Sequence, residues 1–174
     1  KIRLHAKSLC HLASYERSQR PPQAAQRLAW LTGFTGSAGF AIITLDEAYV
    51  FADSRYTLQV REQTDPACYS PLDLVETPPG KWLKDNLAKR SVIGFDPWCI
   101  TLRQLEIYEK AATAAGAELR PGPNLVDLIW ADRPPLPENP VTVHPISHAG
   151  QEVSEKLSTL QKAIADKQAS CCIL

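Results

Sequence analysis

The chain has 174 residues, 44% of them hydrophobic, and nineteen Lys+Arg balance nineteen Asp+Glu to a formal net charge of zero. That composition supplies one sizeable core and excludes a disordered tail, while zero net charge removes the overall field that would gather nucleic acid or anionic membrane at the surface. The longest apolar runs, such as Phe40 to Thr44, fall far short of the roughly 20 residues of a membrane-spanning helix.

Five cysteines, Cys10, Cys68, Cys99, Cys171 and Cys172, form no C-x-x-C pair, and read as reduced thiols of a cytoplasmic protein. The sequence begins at Lys1, contains no Met, and is expected to be a fragment of a longer polypeptide.

No element is assigned before Pro21. Gln23 to Leu31 is predicted as a short helix with Leu28 and Leu31 on one face, ended by Gly33. Two apolar, β-prone runs follow, Gly39 to Thr44 and Ala48 to Ala52, separated by Leu45, Asp46 and Glu47; they read as a hairpin. Strands apolar on both faces imply cover on both sides, hence helices packed over a sheet. Arg55 to Gln63 is expected as one short helix and Ala67 to Tyr69 as a strand.

Thr77 is predicted to cap a helix with Pro78 at its first position and Trp82, Leu83 and Leu87 on its buried face. Val92 to Phe95 reads as a strand ending in Asp96-Pro97. Thr101 then caps a helix carrying Leu102, Leu105, Ile107, Tyr108 and Ala112, stopped by Gly116. Glu118 to Arg120 reads as a further strand, and Asn124 caps an apolar helix from Leu125 to Trp130. Alternating strands and helices predict an α/β layer architecture.

Five prolines between Asp132 and Pro145 exclude a regular helix and mark a stiff connector. The expected division is one domain over residues 1–145 and a second segment over 146–174. In that segment Val153, Leu157, Leu160 and Ile164 recur at helical spacing. Ala169 to Leu174 reads as a strand severed partway. Cys171-Cys172-Ile173-Leu174 also fits a C-a-a-X prenylation pattern, but no polybasic stretch precedes it, and the severed strand is the preferred reading.

No constellation for catalysis stands out. The histidines His5, His11, His144 and His148 form neither H-E-x-x-H nor H-x-H, and Pro145 separates the last two, so no metal site is expected. Gly33 to Gly39 is glycine-rich but precedes a strand and lacks the Lys-Ser/Thr of a phosphate loop, so it reads as a tight loop. Ser37 does not sit in G-x-S-x-G and has no identifiable His partner. Asp53-Ser54-Arg55-Tyr56 follows a buried strand, where open α/β sheets present functional side chains; the plainer reading is a helix cap, with Arg55 paired to a nearby carboxylate. Trp30, Trp82, Trp98 and Trp130 read as core or interface aromatics, since no basic cluster interleaves them.

Read together, Arg27-Leu28-Ala29-Trp30-Leu31-Thr32-Gly33-Phe34-Thr35-Gly36-Ser37-Ala38-Gly39 resembles the signature of Xaa-Pro aminopeptidase N-terminal domains in the creatinase/prolidase family. Phe51-Ala52-Asp53-Ser54-Arg55-Tyr56, with Gln59, is similar to the family's D-G-R-Y-x-x-Q-A segment, Ser54 standing in place of the usual glycine. Gly94 to Pro97, Asn124 to Trp130 and Asp132 to Pro135 resemble three further family segments in the right order.

The resemblance implies a mixed β-sheet flanked by helices on both faces, of ribonuclease H-like architecture, continuing into a second domain and then a pita-bread catalytic domain. That catalytic domain would hold two divalent metal ions, commonly manganese, with no ligand positions in this chain. The implied role is a non-catalytic frame that shapes the active-site entrance, contacts proline-containing peptide and supports association with a second subunit. Phe34, Thr35, Gly36, Ser37, Gly39, Asp53, Arg55 and Tyr56 are the candidate substrate or interface residues. A stand-alone peptide-binding or regulatory module, and a prenylated protein modified at Cys171, are the alternatives.

Overall fold

The computed structural model describes residues 8–13 and 21–172. Expectations for His5, and for the last two residues of the C-terminal run, fall outside them. The chain divides into two compact units, Lys1–Pro137 and Glu138–Leu174, a division that falls inside the proline-rich connector.

In the first unit, strands β1 (Ser8–Ala13), β2 (Gly39–Ile43), β3 (Ala48–Ala52), β4 (Ser70–Asp73), β5 (Val92–Phe95) and β6 (Glu118–Pro121) form one sheet in the order β4-β3-β2-β1-β5-β6. The β2–β3 hairpin is antiparallel, β2 also pairs antiparallel with β1, and the remaining pairings are parallel. Strand β2 therefore runs against the other strands. In consequence the carboxyl ends of β3, β4, β5 and β6 and the amino end of β2 share one edge.

The hairpin lies where its two apolar runs predict it. Strand β1 does not announce itself in the sequence, yet it lies inside the sheet, with Cys10 opposite Ile43 on one side and Gly94 on the other. Ladders on both sides specify it where local periodicity is weak. Strand β4 begins at Ser70 rather than Ala67, because Asp65 closes a turn first: its carboxylate accepts from Ala67 N at 2.8 Å and its carbonyl from Cys68 N and Tyr69 N.

Helices cover both faces, as the doubly apolar hairpin requires. Helices α3 (Pro79–Asn86) and α4 (Leu102–Ala115) place Trp82, Leu83, Tyr108, Ala111 and Ala112 against Phe40, Ile42, Phe51 and Ile93. Helices α1 (Arg27–Thr32) and α2 (Thr57–Gln63) place Leu28 and Val60, with Phe34, against the alternate residues Ala41, Val50 and Ala52. Each fully buried Phe, Ile or Leu stabilises this arrangement by about 1.5–3 kcal/mol.

Local signals set the helix ends. Thr101 and Gln104 form a reciprocal capping box on α4, and Gly116, at φ 70°, ends it. The predicted start of α3 moves by one residue: Pro79 pushes Pro78 into extended backbone (φ −57°, ψ 138°), so Pro78 rather than Thr77 is the cap. The helix predicted from Gln23 is split into a 3-10 turn, Gln23–Ala25, and α1. Likewise a 3-10 turn, Ser54–Tyr56, precedes α2. Helix α5 (Leu125–Ile129) ends the unit, capped by Asn124.

The second unit contains α6 (Ile146–Ala149) and α7 (Val153–Asp166). Lys156 Nζ donates to Ala149 O at 3.1 Å and joins the two. The predicted stripe on α7 is present, with Leu160 and Ile164 half-buried and Val153 and Leu157 exposed. His144 precedes α6 and His148 lies within it, and their ring centroids are 5.9 Å apart. Residues 169–172 are not in a strand, since nothing described in this unit offers them a ladder to join.

Candidate functional site

The shared edge gathers the chemistry-bearing turns. The segment 33–38 leads into the amino end of β2, Asp53 follows β3, and Asp96 follows β5. A bond from Asp53 N to Ala38 O, 3.2 Å, ties the first two together.

Phe34 organises the loop. It is 1% exposed and packs inward against Leu28, Ala41, Val50 and Val60. A Cβ on Gly36 would fall on the Phe34 ring, and one on Gly39 would come within 2.6 Å of its Cε1. Gly33 adopts φ 80°, and a Cβ there would meet Gln63 O at 2.5 Å. The glycines thus let the chain wrap tightly around its own buried phenylalanine.

Outside this anchor the loop is polar. Thr35 N donates to Gln63 Oε1 at 2.9 Å, and Gln59 Nε2 donates to Thr35 Oγ1 at 3.2 Å. Ser37 Oγ and Tyr56 OH share a hydrogen bond of 2.8 Å, which lowers the Tyr56 phenol from its ordinary value. The Tyr56 ring meets Phe34 edge-on at 5.8 Å, and the Arg55 guanidinium lies 5.7 Å from the Tyr56 centroid. Phe34, Tyr56 and Arg55 form a column from core to solvent.

Asp53 caps the 3-10 turn by accepting from Arg55 N at 3.1 Å, and the same Oδ1 accepts from Arg55 Nε at 2.7 Å. The cap and the local ion pair read from the sequence are both present. Arg55 holds the Asp53 carboxyl below the usual carboxylate range. Its own side chain is 71% exposed, so the fork extends into solvent. Ser54 needs no positive φ, so its hydroxymethyl replaces a hydrogen without backbone strain. All eight candidate residues therefore lie on or beside one loop and one turn, with Phe34 buried and Arg55 outermost.

A second cluster was not assembled by sequence reasoning. Asp96 accepts from Trp98 N at 2.9 Å, from Asn124 Nδ2 at 3.1 Å and from Cys99 Sγ at 3.2 Å, while Asn124 Oδ1 accepts from Val126 N. Burial, with Asp96 beside it, pushes the Cys99 thiol up to about 11, which makes it a poor nucleophile. Asp127 binds Arg27 through Nε at 2.6 Å and Nη2 at 2.9 Å, and Arg133 Nη1 at 2.8 Å. Arg133 Nε also donates to Ala24 O at 2.8 Å, and Trp30 stacks on Trp130 at 5.2 Å. These contacts lock α1 to α5 across a hundred residues of sequence. The advance signals were the Asn124 cap and the resemblance of the segments that carry Arg27, Asp96, Asp127 and Arg133 to those of the family, neither of which says that they meet.

Of the four tryptophans, read as core or interface aromatics, Trp98 is not in the core. It is 96% exposed at this edge, whereas Trp82 and Trp130 are each 8% exposed. Among the described residues no group of three or more His, Cys, Asp or Glu could hold a metal ion, and no helix is long and apolar enough to cross a membrane.

The chain matches the sequence model of the Creatinase/Prolidase N-terminal domain over residues 22–129. It is 38% identical over 157 residues to Aminopeptidase P1 of Lotus japonicus, covering 89% of this chain and 24% of that protein. It is 34% identical over 148 residues to human Xaa-Pro aminopeptidase 2, covering 84% of this chain and 22% of that one. The crystal structure of X-prolyl aminopeptidase from Caenorhabditis elegans, described as a cytosolic enzyme with a di-nuclear active site, superposes with TM-score 0.76 at 30% identity. That superposition covers 94% of this chain and 27% of the worm chain. The chain thus spans about a quarter of the length of each of these proteins.

Proposed function

The chain belongs to the creatinase/prolidase N-terminal domain family, and from that premise we propose that it is the non-catalytic N-terminal domain of a Xaa-Pro aminopeptidase. Supporting this reading is the partial match itself: nearly the whole chain aligns, while only about a quarter of each aminopeptidase is covered. In the proposal the rest of the polypeptide follows residues 146–174 as a second domain and a catalytic domain, and releases an N-terminal residue preceding proline in the cytoplasm. That catalytic domain would hold a pair of divalent ions, manganese by preference, which would supply Lewis-acid chemistry there. The described residues of this chain do not fit such a centre, and no step of hydrolysis is assigned to them.

Their part is to frame the entrance and to meet the peptide or a second subunit. Arg55 is the principal contact, because its guanidinium retains donors beyond the one used by Asp53 and suits a carboxylate or carbonyl of an incoming peptide. The rigid Phe34 loop fixes where that contact stands. Replacing Arg55 by Ala in the complete polypeptide is expected to lower kcat/KM for Xaa-Pro peptides by about tenfold, the size of one charge-assisted hydrogen bond, with Tm unchanged. Unchanged peptide kinetics and unchanged assembly would overturn the role given to Arg55.

A further inference from the structure

The cavity at the far side of α2 is lined by none of the loop residues 33–39 and meets the core beneath that loop only at Ala52 and Val60. It holds about 340 Å³ and opens at the carboxyl ends of the parallel strands β3 and β4, the region where open α/β sheets take ligands. Val60 and Leu72 give it an apolar lining; Arg61 enters from α2, and Asp73, Glu76 and Thr77 from the end of β4 and the turn after it.

Its polar groups are left over from folding. Asp73 spends Oδ1 on Val75 N at 2.7 Å and Glu76 N at 3.1 Å, which leaves its other oxygen to the cavity. Arg61, the Glu76 carboxylate and the Thr77 hydroxyl have no side-chain partner among the described residues, and Arg61 and Glu76 do not pair with each other. A site with one guanidinium and two carboxylates around apolar surface repels a simple anion through the acids and a simple cation through the arginine. A ligand carrying both charges satisfies all three.

We propose that this cavity binds a small zwitterion of the amino-acid or dipeptide class. Its carboxylate rests on Arg61, its ammonium faces Glu76 and Asp73, and its apolar side chain lies over Val60 and Leu72. Arg61 and Glu76 are exposed and their side chains make no hydrogen bond or ion pair among the described residues, so Arg61→Ala and Glu76→Gln leave the fold intact.

The test is an amide-shift titration of the isotope-labelled chain with L-alanyl-L-alanine. Amides of residues 57–61 and 73–77 should shift together and saturate at millimolar ligand, and each variant should weaken the affinity by about tenfold, the usual effect of one charged contact. The neutral N-acetyl-L-alaninamide and acetate alone should leave those amides in place. Absence of shifts there, equal shifts with either control, or shifts retained in both variants would overturn the proposal.

Discussion

Asp53 and Asp96 hold matching places in the fold. Each follows a strand that runs in the same direction in the sheet, each caps a 3-10 turn through its carboxylate, and each is followed two residues later by a side chain that extends into solvent, Arg55 in one case and Trp98 in the other. The difference lies in the second partner. Asp53 is closed by the arginine it caps, a contact made entirely at the surface, whereas Asp96 is 8% exposed and closed by Asn124, which itself caps α5. One acid orients a side chain for something outside the molecule; the other ties two elements of the interior.

That difference can be broken by substitution. Asp96→Ala removes a cap and leaves the buried Asn124 amide only the weak acceptor Cys99 Sγ at 3.5 Å, and should cost about 3 kcal/mol of unfolding free energy by denaturant titration. A loss no larger than that of Asp53→Ala would erase the contrast.

Asp127→Asn is expected to cost about 2 kcal/mol, discounted for the 29% exposure of the carboxylate. The pH dependence sharpens this. Arg27 holds the Asp127 carboxyl below the usual range, so its contribution is full above the unfolded value of about 3.9 and is lost as pH falls through the depressed folded value. Thermal melts of wild type and Asp127→Asn should therefore differ at pH 6 and converge towards pH 2; a constant gap would show that the ion pair is not the source.

The smallest effect is expected at the surface pair. Asp53→Ala should move Tm by no more than about 2 °C, because water can solvate both the freed N–H and the Arg55 guanidinium. Its consequence should appear instead in the orientation of Arg55, as broadened or shifted side-chain resonances. A large drop in Tm would mean that the turn after β3 also supports the interior.

Much of the fold and of the loop cluster was legible in the sequence because the signals are local. Gly33, Gly36 and Gly39 flank Phe34 within a few residues, and the hairpin, the capping box at Thr101 and the cap at Asn124 each lie within a single turn of chain. Other features depended on partners far along the chain. The strand at Ser8–Ala13 is defined by β2 and β5 on either side, and the pairing of Arg27 with Asp127 spans a hundred residues. Which tryptophans enter the core and which, like Trp98, stay at the surface was left open by residue type, since burial is decided by what packs above a side chain.

By itself, then, the sequence determined the α/β alternation, the segments that form the two-sided core and the tight loop from Gly33 to Gly39, for these rest on periodicity, caps and backbone permissiveness acting over a few bonds. The grouping of that loop with Asp53, Arg55 and Tyr56 came from the family resemblance. Tertiary structure alone decided which of two similar aspartates faces water and which faces Asn124, and which charges remain unspent in a cavity at the sheet's edge. Those outcomes depend on desolvation and on distant partners, and both come into being only when the chain has closed on itself.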